Sequence, residues 1–271
     1  MLARSSLPAG NLPHMDWEPL RYLSFADERG RAFVELLARV GAEAPTTVVD
    51  LGSGPGTFTA LLAQRWPHAH VIGVDSSPTM VEFAAKESPG IDYVLADLHR
   101  WQPTEPIDVL ISNSTLHWVP GHLSLLPRLA RSVVPGGWFA FQVPGNFGEP
   151  SHTIRRELEA LPEFAPYLEY AAKGESHGAR TYLRALTDVG CTVDAWETTY
   201  LHVLHGRDPV FEWVASTSAR PTLDALPAEV RGRFEAEFKS QLNAAYPMHE
   251  GSVLMPFRRV FVVARVPYWD D

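Results

Sequence analysis

Residues 48–56 read Val-Val-Asp-Leu-Gly-Ser-Gly-Pro-Gly, and residues 71–75 read Val-Ile-Gly-Val-Asp. Both are apolar runs of strand length. The first breaks into a turn with glycine at every second position, and the second stops on a carboxylate. An apolar strand, a glycine turn, a helix and a second strand ending on an acid describe a nucleoside-binding crevice at the edge of an α/β sheet.

The rest of the chain continues that alternation. Residues 46–51, 70–75, 91–95, 107–112 and 138–143 read as five strands, the fourth apolar throughout as a central parallel strand is. Helices are expected over 57–65, over 78–87 with Ser77 as N-cap and Pro78 in the first position, and over 123–133. Phe33, Leu36, Leu37 and Val40 recur at helical spacing and predict a helix over 28–40. Pro135-Gly136-Gly137 is expected as a turn before the fifth strand.

Beyond residue 144 short helices mix with Pro and Gly, and a helix over 180–189 closes at Gly190. Residues 192–204 and 258–266 read as two further strands, with two helices over 208–246 between them. The expected fold is α/β, a doubly wound, mostly parallel seven-stranded sheet, with a helical cap at about 205–256 inserted before the last strand. No Gly/Ser-rich linker divides the chain, so residues 15–271 are expected as one domain including an N-terminal segment 15–45, preceded by a disordered extension over 1–14.

Composition excludes several classes of function. The 271 residues carry a net charge of −9 without a basic run, which argues against a nucleic-acid partner. Cys191 is the one cysteine, so neither an intramolecular disulfide nor a cysteine-based zinc site can form. The histidines lack metal-ligand spacing, so no metal site is expected. No apolar run nears the roughly 20 residues of a membrane span. A cytoplasmic monomer is the expectation.

The loop chooses among nucleosides. A dinucleotide fingerprint is Gly-x-Gly-x-x-Gly, whereas here Gly52, Gly54 and Gly56 are followed by Thr57. Asp50, two residues before the first glycine, would repel a pyrophosphate and attract an ammonium group. S-adenosyl-L-methionine carries an ammonium and a sulfonium and no phosphate. Asp75 is placed to accept ribose hydroxyls, and Asp97 and Leu98, after the third strand, to meet adenine. Asn113 ends the fourth strand at the same edge. An NAD-linked oxidoreductase is the alternative, disfavoured by Thr57.

This ordered set, Asp50, the three glycines, Asp75, Asp97 and Asn113, resembles the class I S-adenosylmethionine-dependent methyltransferases. Further stretches narrow the likeness: Gln64-Arg65-Trp66-Pro67, Asp75-Ser76-Ser77-Pro78, Trp101-Gln102-Pro103, Leu116-His117-Trp118, Glu149-Pro150-Ser151-His152 and Pro256-Phe257-Arg258-Arg259. Together they resemble the trans-aconitate methyltransferase family over nearly the whole chain after residue 15. Ser53 departs from it, where relatives often carry Cys.

The resemblance implies cofactor contacts that also include Ser53 and Ser76. It implies methyl transfer to a carboxylate of trans-aconitate, giving a monomethyl ester and S-adenosylhomocysteine. Another polycarboxylate, a natural-product hydroxyl, or cofactor binding without catalysis are the alternatives. A carboxylate is ionised at neutral pH, so no general base is required. A trianionic acceptor needs cations, best supplied by arginine. Arg29, Arg31, Arg220, Arg258 and Arg259 are the candidates, with Arg220 and Arg259 foremost. Tyr22 could close over the cofactor, and His117 and Trp118, just past the fourth strand, could donate to and wall the acceptor pocket.

Overall fold

The computed structural model describes residues 26–268, with side chains from residue 30 onward. Tyr22, the side chain of Arg29, the extension 1–14 and residues 15–25 of the N-terminal segment lie outside the described residues.

After helix α1 (Ala26–Ala38) come β1 (Thr47–Leu51), α2 (Thr57–Arg65), β2 (His70–Asp75), α3 (Pro78–Glu87), β3 (Asp92–Leu95) and β4 (Ile107–Asn113). Then follow α4 (Leu126–Arg131), β5 (Val133–Pro144), α5 (Pro150–Glu159), α6 (Ala179–Thr187) and β6 (Thr192–His205). The chain closes with α7 (Pro209–Ala215), α8 (Arg220–Ala225), α9 (Ala228–Ala245) and β7 (Ser252–Arg265). The seven strands form one sheet in the order β3-β2-β1-β4-β5-β7-β6. The first five are parallel, and β7 runs antiparallel to both of its neighbours. All five residues of β1 are buried, as a central strand covered on both faces requires.

One face of the sheet is covered by α1 and α2, through Phe33, Leu36, Leu62 and Trp66. The other is covered by α4 and α6, through Leu126, Leu129, Tyr182 and Leu186. Glu35 of α1 accepts hydrogen bonds from Trp196, Thr198 and Tyr200 at 2.9, 2.9 and 2.5 Å, which fastens the helix across β6. Ser77 caps α3 by accepting from the Met80 amide at 3.4 Å, with Pro78 in the first turn as expected.

The last strand, expected over 258–266, begins earlier, at Ser252, and takes up the end of the expected cap, and three other elements differ. The helix over 123–133 is shorter, a 3-10 turn (His122–Leu125) running into α4, because Pro127 admits only the start of a helix at that point. Pro135-Gly136-Gly137 lies within β5, where the register against β4 shifts between Ile107 and Val109, so the turn is a bulge in a longer strand. The two helices over 208–246 are three, divided where Pro221 opens α8 and Pro227 precedes α9.

The cap has a stem. β7 pairs with β5 only from Arg259 to Arg265, whereas it pairs with β6 from Ser252 to Arg265. The free half of this hairpin projects beyond the sheet and buries Leu204, Val253, Met255 and Phe257 against Trp213, Phe234 and Phe238 of the cap helices. The same cluster includes Leu158, Phe164 and Leu168. The cap is therefore built from two stretches of chain, 150–171 and 204–257, rather than from the later insertion alone.

Candidate active site

Between the sheet edge and the cap lies a cavity of about 1320 Å³. Strand ends and the glycine loop line one pole. Gly52 and Ser53 both donate to the Val74 carbonyl, at 2.6 and 3.0 Å, drawing the loop over the end of β2. Gly52 has φ +86°, and a Cβ there would stand 2.1 Å from the Thr115 hydroxyl, so neither backbone nor space admits a side chain. At Gly54, with φ +53°, no atom lies within 4 Å of where a Cβ would stand. That opening is a bare stretch of backbone facing the cavity.

The carboxylates gather around this backbone. Asp75 accepts from the Gly54 and Ser77 amides, each at 2.8 Å, one on each oxygen. The Ser76 amide also acts on this carboxylate, and of its roughly four acceptor positions about one is left for a ribose hydroxyl. Burial raises the Asp75 pKa, opposed by these amides. Asp50 is 1% exposed and accepts from Thr59 at 2.7 Å. Its pKa is pushed up to about 7 by burial, against the Thr59 bond and with the neighbouring Asp75 charge. Asp97 is exposed, accepts from the His99 amide at 2.9 Å, and lines the cavity beside buried Leu98. A cationic, phosphate-free nucleoside fits this acidic pole.

The opposite pole carries buried cations. Arg259, 4% exposed, stands where β7 leaves the sheet. Its Nη1 donates to Ser114 Oγ at 2.8 Å and lies 3.4 Å from Gln142 Oε1, and its guanidinium rests 4.5 Å from the Phe257 ring centroid. Gln142 in turn donates to Asn113 at 2.6 Å. A polar chain thus runs from the end of β4 to Arg259 and orients it. His117 is buried beside it, with its pKa held well below the ordinary value by burial and then by the Arg259 charge. It is therefore neutral and able to donate one hydrogen bond. Trp118 lines the same wall.

Of the residues expected in the site, Asp50, Gly52, Ser53, Gly54, Asp75, Ser76, Asp97, Leu98, Asn113, His117, Trp118 and Arg259 all line this cavity. Gly56 does not: a Cβ there would meet the Tyr93 hydroxyl at 2.4 Å and Ala84 at 2.9 Å, so this glycine serves helix packing. Arg220 also stands apart from the lining, its Nε 3.2 Å from Asp224 one turn along α8. Arg258 is bound by Glu197 at 2.8 Å and by the Gly145 carbonyl, and Arg31 rests 5.0 Å over the Tyr200 ring.

Sequence reading missed Asn146, Phe147, His152, Arg155, Tyr170 and Trp213, which also line it, as do the charged Arg100, Glu169, Lys173 and Glu175. One signal was available. The buried stripe of α5 is Ser151, His152, Arg155 and Leu158, three of them polar residues on an inward face. Among the described residues there is no cluster of three or more groups able to hold a metal ion, and no helix long and apolar enough to cross a membrane.

The family profile described as "Methyltransferase domain" matches residues 48–137, the stretch that holds the acidic pole. Among solved structures, phosphoethanolamine N-methyltransferase 2 of Haemonchus contortus, bound to S-adenosylhomocysteine, superposes with a TM-score of 0.55 at 15% identity, covering 92% of this chain and 57% of that one. The cyclase SpnF superposes at 0.55 and 13% identity, covering 88% and 82%. Likeness at this level shows the fold alone. Sequence relatives reach further. Trans-aconitate 2-methyltransferase of Mycobacterium sp. (strain KMS) is 49% identical over 253 residues, 92% of this chain and 99% of the relative. Those of Methylobacterium nodulans and Streptomyces avermitilis are 47% and 45% identical, covering 92% of this chain and 98% and 96% of theirs. With likeness of this depth along nearly its whole length, the chain belongs to the trans-aconitate 2-methyltransferase family.

Proposed function

We propose that this chain esterifies a carboxylate of trans-aconitate with the methyl group of S-adenosyl-L-methionine. The observation that carries the reading is the order of groups along the sheet edge, with Asp97 after β3, Asp75 and Asp50 on β2 and β1, and on the far side of β4 a buried, oriented Arg259 beside the end of β5. A cationic donor and an anionic acceptor are drawn to opposite poles and meet between them.

Bound S-adenosyl-L-methionine supplies an electrophilic methyl on a sulfonium. The carboxylate oxygen forms the new C–O bond as the C–S bond breaks, and the electron pair leaves on sulfur. No proton moves, so the residues act by placement. The Gly52–Gly54 backbone and Asp50 hold the amino acid end of the donor. Asp75 takes a ribose hydroxyl, with Ser76 beside it, and Asp97 and Leu98 take the adenine. Asn113, through Gln142, and Ser114 aim Arg259 at an acceptor carboxylate. His117 offers a neutral donor to the same acceptor, and Trp118 excludes water. Positioning and desolvation of this kind are worth roughly 7–11 kcal/mol in favourable cases.

The test is transfer of label. Purified protein incubated with methyl-labelled S-adenosyl-L-methionine and trans-aconitate should yield a base-labile labelled ester together with S-adenosylhomocysteine. Label entering a different small polycarboxylate, and not trans-aconitate, would keep the donor half of the reading and overturn the acceptor.

A further inference from the structure

Arg155 is the second buried arginine of the cavity wall, 7% exposed, and it comes from the cap rather than from the sheet. Its partners are few for a charge so enclosed. Nε forms an ion pair with the Glu159 carboxylate at 3.2 Å, one turn along α5, but makes no hydrogen bond among the described residues. Nη1 donates to the Ser218 carbonyl. Glu159 is itself shared, since it accepts from Thr222 at 2.5 Å.

The surroundings are under-satisfied in the same way. One turn earlier His152 is 3% exposed and its Nδ1 has no partner, and both amide atoms of Asn146, 1% exposed, also have none among the described residues. Buried polar groups are ordinarily paired, and a cluster that is not, set on a cavity wall, marks where a ligand supplies the partners. A planar fork of N–H donors flanked by neutral donors suits a carboxylate.

We propose that Arg155 is a specificity-determining residue that binds a second acceptor carboxylate, so that Arg259 from the sheet and Arg155 from the cap hold the two carboxylates that do not react. This rests on the function proposed above and extends it. A tricarboxylate then bridges sheet and cap, and acceptors with fewer carboxylates lose one anchor. Glu159 competes for the same guanidinium and is displaced in part when the acceptor binds.

The test compares Arg155→Gln and Glu159→Gln with wild type on trans-aconitate and two dicarboxylates, mesaconate and glutaconate, each lacking a different carboxylate. Arg155→Gln should raise the KM for trans-aconitate about tenfold to a hundredfold, the loss of one charge-assisted pair. S-adenosylhomocysteine affinity should stay at the wild-type value, and the penalty should largely vanish with one of the dicarboxylates. Glu159→Gln, which keeps an acceptor for Thr222, should lower the KM for trans-aconitate. Equal penalties on all three acceptors, or none on trans-aconitate, would overturn the anchor. Failure of the function itself reads differently. If wild type forms no ester, calorimetry of trans-aconitate on the S-adenosylhomocysteine complex still decides whether anion binding depends on Arg155.

Discussion

Thr59 donates its hydroxyl to Asp50 at 2.7 Å in a pair closed to water, directly behind the glycine loop. With burial as the main cause and Asp75 adding to it, the Asp50 pKa is pushed up to about 7. The ionised form is the one that attracts an ammonium group. Affinity for S-adenosylhomocysteine should therefore rise as pH increases toward and through about 7 and then level off. Calorimetric titration across that range checks it. Asp50→Asn should flatten the profile and hold it near the acid-side affinity, and a profile unchanged by the substitution would remove Asp50 from the donor site.

The same shift has a consequence for stability. A carboxyl whose folded pKa lies above its unfolded value leaves the native state binding more protons, so stability falls as pH rises from the ordinary carboxylate range to about 7. Asp50→Asn should melt several degrees above wild type at alkaline pH, and the two should become level only at about pH 4, where the unfolded carboxyl is also protonated. Thermal melts on the two sides of the window measure this.

The loop glycines should separate by mechanism. Gly52→Ala places a methyl group 2.1 Å from the Thr115 hydroxyl and should destabilise the fold by several kcal/mol, lowering the melting midpoint. Gly54→Ala meets nothing within 4 Å. It should cost the protein only about 1–2 kcal/mol of backbone strain and weaken donor affinity more than tenfold, because the methyl occupies donor space. Melting and calorimetry on the two variants together distinguish packing from binding.

Arg259 and Arg220 looked equivalent in the sequence and are not equivalent in space. Arg259→Gln should raise the acceptor KM by about tenfold to a hundredfold with little change in donor affinity. Arg220→Gln removes a pairing with Asp224 outside the cavity lining and should leave the acceptor KM within about twofold. Steady-state kinetics at saturating donor report both.

The acidic side of the cavity was legible because local signals specify it. Glycine turns, the Ser77 cap and acids at strand ends depend on neighbours within a few residues, and β1 to β4 lie within a residue or so of the expected positions. Gly56 shows the limit, since the reason for its lack of a side chain is Tyr93, far along the chain. The opposite side of the cavity is assembled at long range. Arg155 and His152 line one cavity with Arg259 and His117 because the projecting β6–β7 pair packs Leu204, Val253 and Met255 in a cluster shared with Leu158 and Phe164. The polar stripe on α5 signals a buried polar face but not what it meets, and the sequence ranks Arg220, next to a proline in the cap, together with Arg259.

In the proposed function, acceptor choice rests on one cavity that brings a cationic methyl donor to a polyanionic acceptor. Its most direct test is the ratio of kcat/KM for trans-aconitate to that for crotonate, a monocarboxylate with a comparable double bond, under saturating S-adenosyl-L-methionine. Loss of two charge-assisted anchors predicts a ratio of at least about a hundredfold, carried mainly by KM. Similar values for the two acids would contradict the account, since the arginines at the second pole would then contribute nothing to acceptor choice.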